Sequence, residues 1–301
     1  MGPGQSRFVT ARTLALVRNL ELAARAVTEG MLVGRHPSRR IGAGLEFSQF
    51  RSYQPGDDLR RVDWKLLARS DRLFVREAES ETSVTVRLVV DATRSMLHEE
   101  GGVTKFDYAR YLAAALALLA DRQGDALGLY LLRDGAAQVI RPRRDVRQVA
   151  RVLHALEQAE PAGAWPAWPV LERALAPDGP GGITVLISDL FESGVEPAGE
   201  IATAVRHLAA ARHELAVFQV LGRAEQEAGY DGAVTLEDLE TGRQVDLDAA
   251  TARTLAPARL AALLAPLRAT LAEFGAGVEP CLLDEPFEAP LRRYLAVRTR
   301  R

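Results

Sequence analysis

From residue 84 onward the chain alternates between two hydrophobic patterns. Segments such as VTVRLVVD, GGITVLISDLFES and HELAVFQVLG are apolar at nearly every position, which predicts strands buried on both faces. Between them, KFDYARYLAAALALLADRQG, RDVRQVARVLHAL and PAGEIATAVRHLAAAR place apolar residues at helical spacing. Gly124 ends the first of these helices. ALGLYLLRDGAAQVIRP reads as two strands joined by Asp134-Gly135, a two-residue hairpin signal that makes the second strand antiparallel and places it at an edge. AVTLEDLETGRQVDLD is a second hairpin turning at Thr241-Gly242, an insertion near 230–250. A helix over 252–274, the strand GVEPCLLD and the helix FEAPLRRYLAVR close the chain.

Strands alternating with helices predict an α/β fold: a doubly wound, mainly parallel sheet with right-handed crossovers and one antiparallel edge strand. Its binding crevice lies at the carboxyl ends of the strands, where strand order reverses. Upstream, TARTLALVRNLELAARAV (10–27) is an amphipathic helix opening on Thr10, and GRHPSRRIGAG (34–44) is a basic, glycine-rich loop. LEFSQFRSY and RLFVREAES carry strand periodicity around a short helical segment, VDWKLLARS. The expected division is therefore an N-terminal helix and β-rich region over 1–83, packed on a main domain over 84–301.

Composition adds little by itself. The 301 residues are 48% hydrophobic and 26% charged with a net charge of −2, as in an ordinary globular protein, and give no reason to expect nucleic acid as a partner. The first 80 residues, however, hold 14 Lys and Arg against 9 Asp and Glu, a basic front of +5 on a remainder of −7. The single Cys281 excludes an intrachain disulfide and, in the strand VEPCL, reads as a buried inert thiol. No segment has the roughly 20 apolar residues needed to cross a bilayer, and MGPGQSRF lacks a signal-peptide core, so the expected compartment is the cytoplasm.

Two aspartates end the apolar strands that flank the predicted reversal. Asp91 opens DATRS, which supplies hydroxyls at Thr93 and Ser95, and Asp189 lies in ISDL. Two carboxylates and two hydroxyls with no His or Cys form an all-oxygen set suited to a hard cation such as Mg2+. The bland alternative is that both aspartates accept hydrogen bonds from loop N–H groups and the nearby hydroxyls. The arrangement resembles the von Willebrand factor A fold and its metal-ion-dependent adhesion site, an Asp-x-Ser-x-Ser motif with a distal Thr and a distal Asp. Asp91, Ser95 and Asp189 match, and Thr93 keeps a hydroxyl in place of Ser. The distal Thr is missing, because AGAWPAWPVLERAL offers Trp165 and Trp168 instead. The resemblance implies an open metal position for an acidic group of a protein ligand.

The region upstream carries a second resemblance. Gly34, His36, Ser38, Gly42, Gly44, Glu46, Phe47, Tyr53, Pro55, Gly56, Asp57, Asp58, Arg60, Val62, Asp63 and Trp64 follow the pattern of the bacterial domain-of-unknown-function-58 family. The chain is thus identified as a member of that family with a von Willebrand factor A-like domain. Many members carry two membrane helices before this region, and the present sequence shows none. What the resemblance implies is a partner, not a reaction: an adaptor or co-chaperone role beside a MoxR-type AAA+ ATPase, with no catalytic activity. The signature residues His36, Glu46, Tyr53, Asp57, Asp58, Arg60, Asp63 and Trp64 read as a clasp, with one face offered to a partner. The enzymatic alternative is a metal-dependent phosphodiesterase or nuclease built on Asp57, Asp58 and Asp63, although Arg60 and Arg61 are placed to neutralise those carboxylates. There is no GxSxG elbow, no HExxH, and GPGG at 179–182 lacks the GK[ST] of a P-loop.

Overall fold

The computed structural model describes Leu20, residues 47–53, 62, 66, 67, 69 and 72–78, and then 84–298 apart from 177–181, 192–198, 211–212, 228–232 and 238–243. By internal contacts the chain divides into Arg35–Ser83 and a larger unit of Met1–Gly34 with Val84–Arg301. In the smaller unit, β1 (Phe47–Ser52) pairs antiparallel with β2 (Phe74–Ala78), as the two aromatic strand patterns predict, and the half-buried Tyr53 donates its backbone N–H to the Leu73 carbonyl at 2.9 Å. His36, Glu46, Asp57, Asp58, Arg60, Asp63 and Trp64 lie outside the described residues, as does the expected helix over 10–27 apart from Leu20.

The larger unit contains β3 (Thr85–Asp91), the short pair β4 (Glu99–Glu100) and β5 (Val103–Thr104), α1 (Lys105–Arg122), β6 (Ala126–Arg133), β7 (Ala136–Arg143), α2 (Gln148–Gln158) and α3 (Trp168–Leu175). It continues with β8 (Gly182–Ser188), α4 (Glu200–Ala210), β9 (His213–Leu221), α5 (Arg223–Glu227), β10 (Ala233–Glu237), β11 (Gln244–Asp248), α6 (Ala249–Glu273), β12 (Val278–Leu282) and α7 (Glu288–Arg298). Six strands form one sheet in the order β12-β9-β8-β3-β6-β7, parallel except for β7 at the edge. β7 turns back through Asp134 (φ 50°) and Gly135 (φ 68°), the left-handed pair that a two-residue hairpin requires. This is the expected doubly wound, mainly parallel sheet with one antiparallel edge strand. β10 and β11 pair antiparallel as the predicted insertion, with their turn outside the described residues.

β3 lies at the centre because it is apolar on both sides. Leu88 and Val90 enter one core with α1 and α2, and Val89 enters the opposite core with α3 and α4. Leu88 and Val90 are fully buried, each contributing about 1.5–3 kcal/mol of transfer free energy. Against β3 sits α1, whose buried Ala113, Ala114, Ala115 and Ala117 allow a close approach to the sheet. Thr104 caps α1 by accepting the Asp107 N–H at 2.9 Å, and Gly124 (φ 69°) ends it. Because β3 has β6 on one side and β8 on the other, the chain reverses direction across the sheet here, and the carboxyl ends of β3 and β8 meet at the crevice.

Candidate functional site

Asp91 is the last residue of β3, and its carboxylate is fully enclosed. One oxygen, Oδ1, accepts the Thr93 backbone N–H at 2.9 Å and the Thr93 hydroxyl at 2.7 Å. The other, Oδ2, accepts the Ser188 hydroxyl at 2.6 Å and the Trp165 indole N–H at 3.0 Å. Four donors on two oxygens fill the acceptor capacity of a carboxylate. Since Thr93 spends its proton on Asp91, the 3.1 Å contact between the Thr93 and Ser95 hydroxyls has Ser95 as donor. Burial, and next the charge of Asp189, push the Asp91 carboxyl from 3.8 up to about 6, although the Ser188 and Thr93 hydrogen bonds pull the other way.

Asp189 follows β8 and is also fully buried. Its Oδ1 accepts the Phe191 N–H at 3.0 Å, while its Oδ2 accepts the Lys105 ammonium at 3.0 Å. Between these two residues, Leu190 adopts φ 63°, a left-handed conformation that costs a non-glycine residue on the order of 1 kcal/mol or more. The Leu190 N–H donates to the Ser188 hydroxyl at 2.9 Å and its side chain is buried in the core, which together hold the bend.

Lys105, at the first position of α1, is 1% exposed. Its Nζ contacts Asp189 at 3.0 Å and Glu225 of α5 at 2.7 Å, and lies 4.7 Å from the Phe191 ring centroid. Burial by itself would lower its pKa, but the Asp189 and Glu225 carboxylates outweigh burial and hold it above its ordinary value. Glu225 is oriented in turn by the Gly222 N–H, 2.8 Å from its second oxygen. One ammonium therefore ties the start of α1 to the segments that follow β8 and β9.

The structure brings together all four residues of the predicted cation set, Asp91, Thr93, Ser95 and Asp189, and the hydrogen-bonding alternative describes Asp91 well. Three partners were not read from the sequence: Lys105, Ser188 and Glu225. Trp165, noted only as a missing hydroxyl, occupies the Asp91 oxygen that faces β8. An indole N–H donates and cannot ligate a metal. A Mg2+ ion bonded to Asp189 at about 2.1 Å would be crowded against the ammonium on the same oxygen. Among the described residues, no group of three or more His, Cys, Asp or Glu side chains is arranged to hold a metal ion. As arranged, both Asp91 oxygens and Asp189 Oδ2 are engaged, so these residues do not fit a divalent cation bonded directly through them.

Elsewhere, Cys281 is fully buried and burial pushes its thiol well above the ordinary range, leaving it an inert core group. No helix among the described residues is long and apolar enough to cross a membrane.

The family of proteins of unknown function DUF58 matches residues 49–261. The chain belongs to this family. A relative in Mycobacterium tuberculosis and one in Mycobacterium bovis, both described as uncharacterised, are each 33% identical to it over 294 residues, spanning 95% of this chain and 90% of theirs. Among solved structures, the conserved hypothetical protein BatB of Bacteroides thetaiotaomicron aligns with a TM-score of 0.44 at 14% identity, covering 72% of this chain and 98% of its own. The VWA domain of SpRpn10 aligns with a TM-score of 0.40 at 9% identity, covering 70% and 95%.

Proposed function

We propose that the chain is a non-enzymatic interaction module that serves as adaptor or co-chaperone of a MoxR-type AAA+ ATPase, and that it meets an acidic group of its partner at the carboxyl end of the sheet. The observation that supports this reading is the turn Arg94–Leu97, which follows the Asp91 strand. It buries Ser95 and Met96 beneath it and leaves Arg94 and Leu97 exposed, Leu97 at 44%. A guanidinium and an isobutyl group presented side by side from a rigid turn suit an acidic, partly apolar protein surface. The cluster below is a poor direct ligand for an acidic group. Asp91, Asp189 and Glu225 outnumber the one ammonium among them, and Asp91, Thr93, Ser188, Asp189 and Lys105 are at most 1% exposed. A sealed, fully hydrogen-bonded cluster without an accessible nucleophile also favours a scaffold for binding over a centre for catalysis.

The test is a pull-down of a MoxR-type AAA+ ATPase from the same organism, with and without nucleotide, by the wild-type protein and by Arg94→Glu. Wild-type capture, lost in Arg94→Glu at unchanged melting temperature, supports the reading. Absence of wild-type capture in every nucleotide state removes the ATPase as partner, and undiminished capture by Arg94→Glu removes this surface.

A further inference from the structure

We propose that the Lys105 ammonium is the resident cation of this site, so that the adhesion-type cluster is held together by a side chain and needs no divalent metal. Lys105 stands at the positive end of the α1 dipole and in the interior, two settings that each disfavour an ammonium. It is nevertheless 1% exposed, so something specific must hold it. Asp189 at 3.0 Å and Glu225 at 2.7 Å supply that hold, one from the loop after β8 and one from the helix after β9.

In a metal-dependent cluster of this kind, the distal carboxylate and the hydroxyls of the DATRS loop would be gathered by a central cation. Here each component has another engagement. Asp189 is neutralised by Lys105, Asp91 is filled by Thr93, Ser188 and Trp165, and Ser95 hydrogen-bonds to Thr93. The indole of Trp165, at the place in the chain where a distal hydroxyl is expected, completes the hydrogen bonding of Asp91 instead of adding a ligand. The two departures from the metal-binding pattern are therefore complementary: a lost oxygen ligand and an acquired internal charge. Each alone would leave the cluster short of a partner. This inference concerns the cluster alone and holds whichever protein the domain meets.

The probe is Mn2+ added to the full chain, followed by the loss of its free-ion electron paramagnetic resonance signal and by thermal melts with Mn2+ or with chelator. The wild-type protein should leave the signal unattenuated and melt at the same temperature in both conditions. Lys105→Met keeps the length of the side chain and removes the charge, leaving Asp189 and Glu225 to be neutralised from outside. It should take up one equivalent of Mn2+ and regain melting temperature when the ion is present. Stoichiometric Mn2+ binding by the wild type, lost in Asp189→Asn, would overturn the proposal. So would a folded Lys105→Met that ignores Mn2+. Should Lys105→Met not fold with or without the ion, the wild-type measurement alone still decides, because a true metal site must register there.

Discussion

The buried carboxylate of Asp91 makes a pH prediction whose sign and size follow from its surroundings. Its folded-state pKa is pushed from 3.8 to about 6, first by burial and then by Asp189. A raised pKa in an acid means that the folded state holds the proton more tightly than the unfolded chain. The resulting stabilisation is fully present below about 3.8 and is lost as the pH rises through about 6. At about 1.4 kcal/mol per pKa unit, the whole effect is about 3 kcal/mol, and about 2 kcal/mol of it falls between pH values of about 4.5 and 7.5. Other groups titrate in the same window, so the measurement is a difference. Urea unfolding of the wild type and of Asp91→Asn should be followed across that range. The Asn amide faces the Trp165 N–H with a donor instead of an acceptor, a mismatch of about 1–3 kcal/mol that does not vary with pH. What varies is the Asp91 proton, so the wild-type advantage should shrink by about 2 kcal/mol on going from acid to neutral pH. For a unit of this size that corresponds to about 4–8 °C in melting temperature. Two pH profiles that run parallel would refute the reasoning. They would mean that Asp91 ionises near its ordinary value, as it would with water or an additional cation beside it.

Four further outcomes are expected from the same geometry. Lys105→Met, without added metal, leaves two carboxylates facing a buried neutral side chain and should destabilise the protein by about 3–5 kcal/mol in chemical denaturation. Trp165→Phe keeps an aromatic ring but removes the N–H to Asp91; the expected loss is about 1.5–3 kcal/mol, read by urea unfolding. Gly163 has φ 59°, and an added Cβ would come within 2.6 Å of the Asp134 backbone, so Gly163→Ala should cost about 1–3 kcal/mol and shift the indole resonance of Trp165 in NMR spectra. Cys281→Ser replaces a fully buried thiol with a smaller, more polar hydroxyl and should lower the melting temperature, while thiol reagents should leave the native wild-type chain unmodified.

The order of elements was legible because in each strand the hydrophobic pattern and the sheet position agree. VTVRLVVD is apolar without alternation, as a strand covered on both faces must be, and it forms the central β3. Asp134-Gly135 announced the hairpin because few other residue pairs tolerate two successive positive φ angles, and that local constraint alone placed β7 at the edge. Asp91 and Asp189 could be paired from the strand pattern alone, since both end strands that flank the point of reversal. What the sequence did not display was how their charge is compensated. Lys105 opens an amphipathic helix, where nothing local names its partner, and Glu225 lies 120 positions away in a five-residue helix with no periodicity of its own. Their pairing depends on β8 and β9 lying side by side, a long-range fact that no local pattern encodes. One clue was nevertheless local. A lysine opening a helix faces the positive end of the dipole, and the next two positions of KFD bring an aromatic ring and a carboxylate that suit the helix start better than it does. A residue placed against its own helix is a reason to look for a carboxylate elsewhere in the fold, and the apolar strand ending in Asp189 was the place to look.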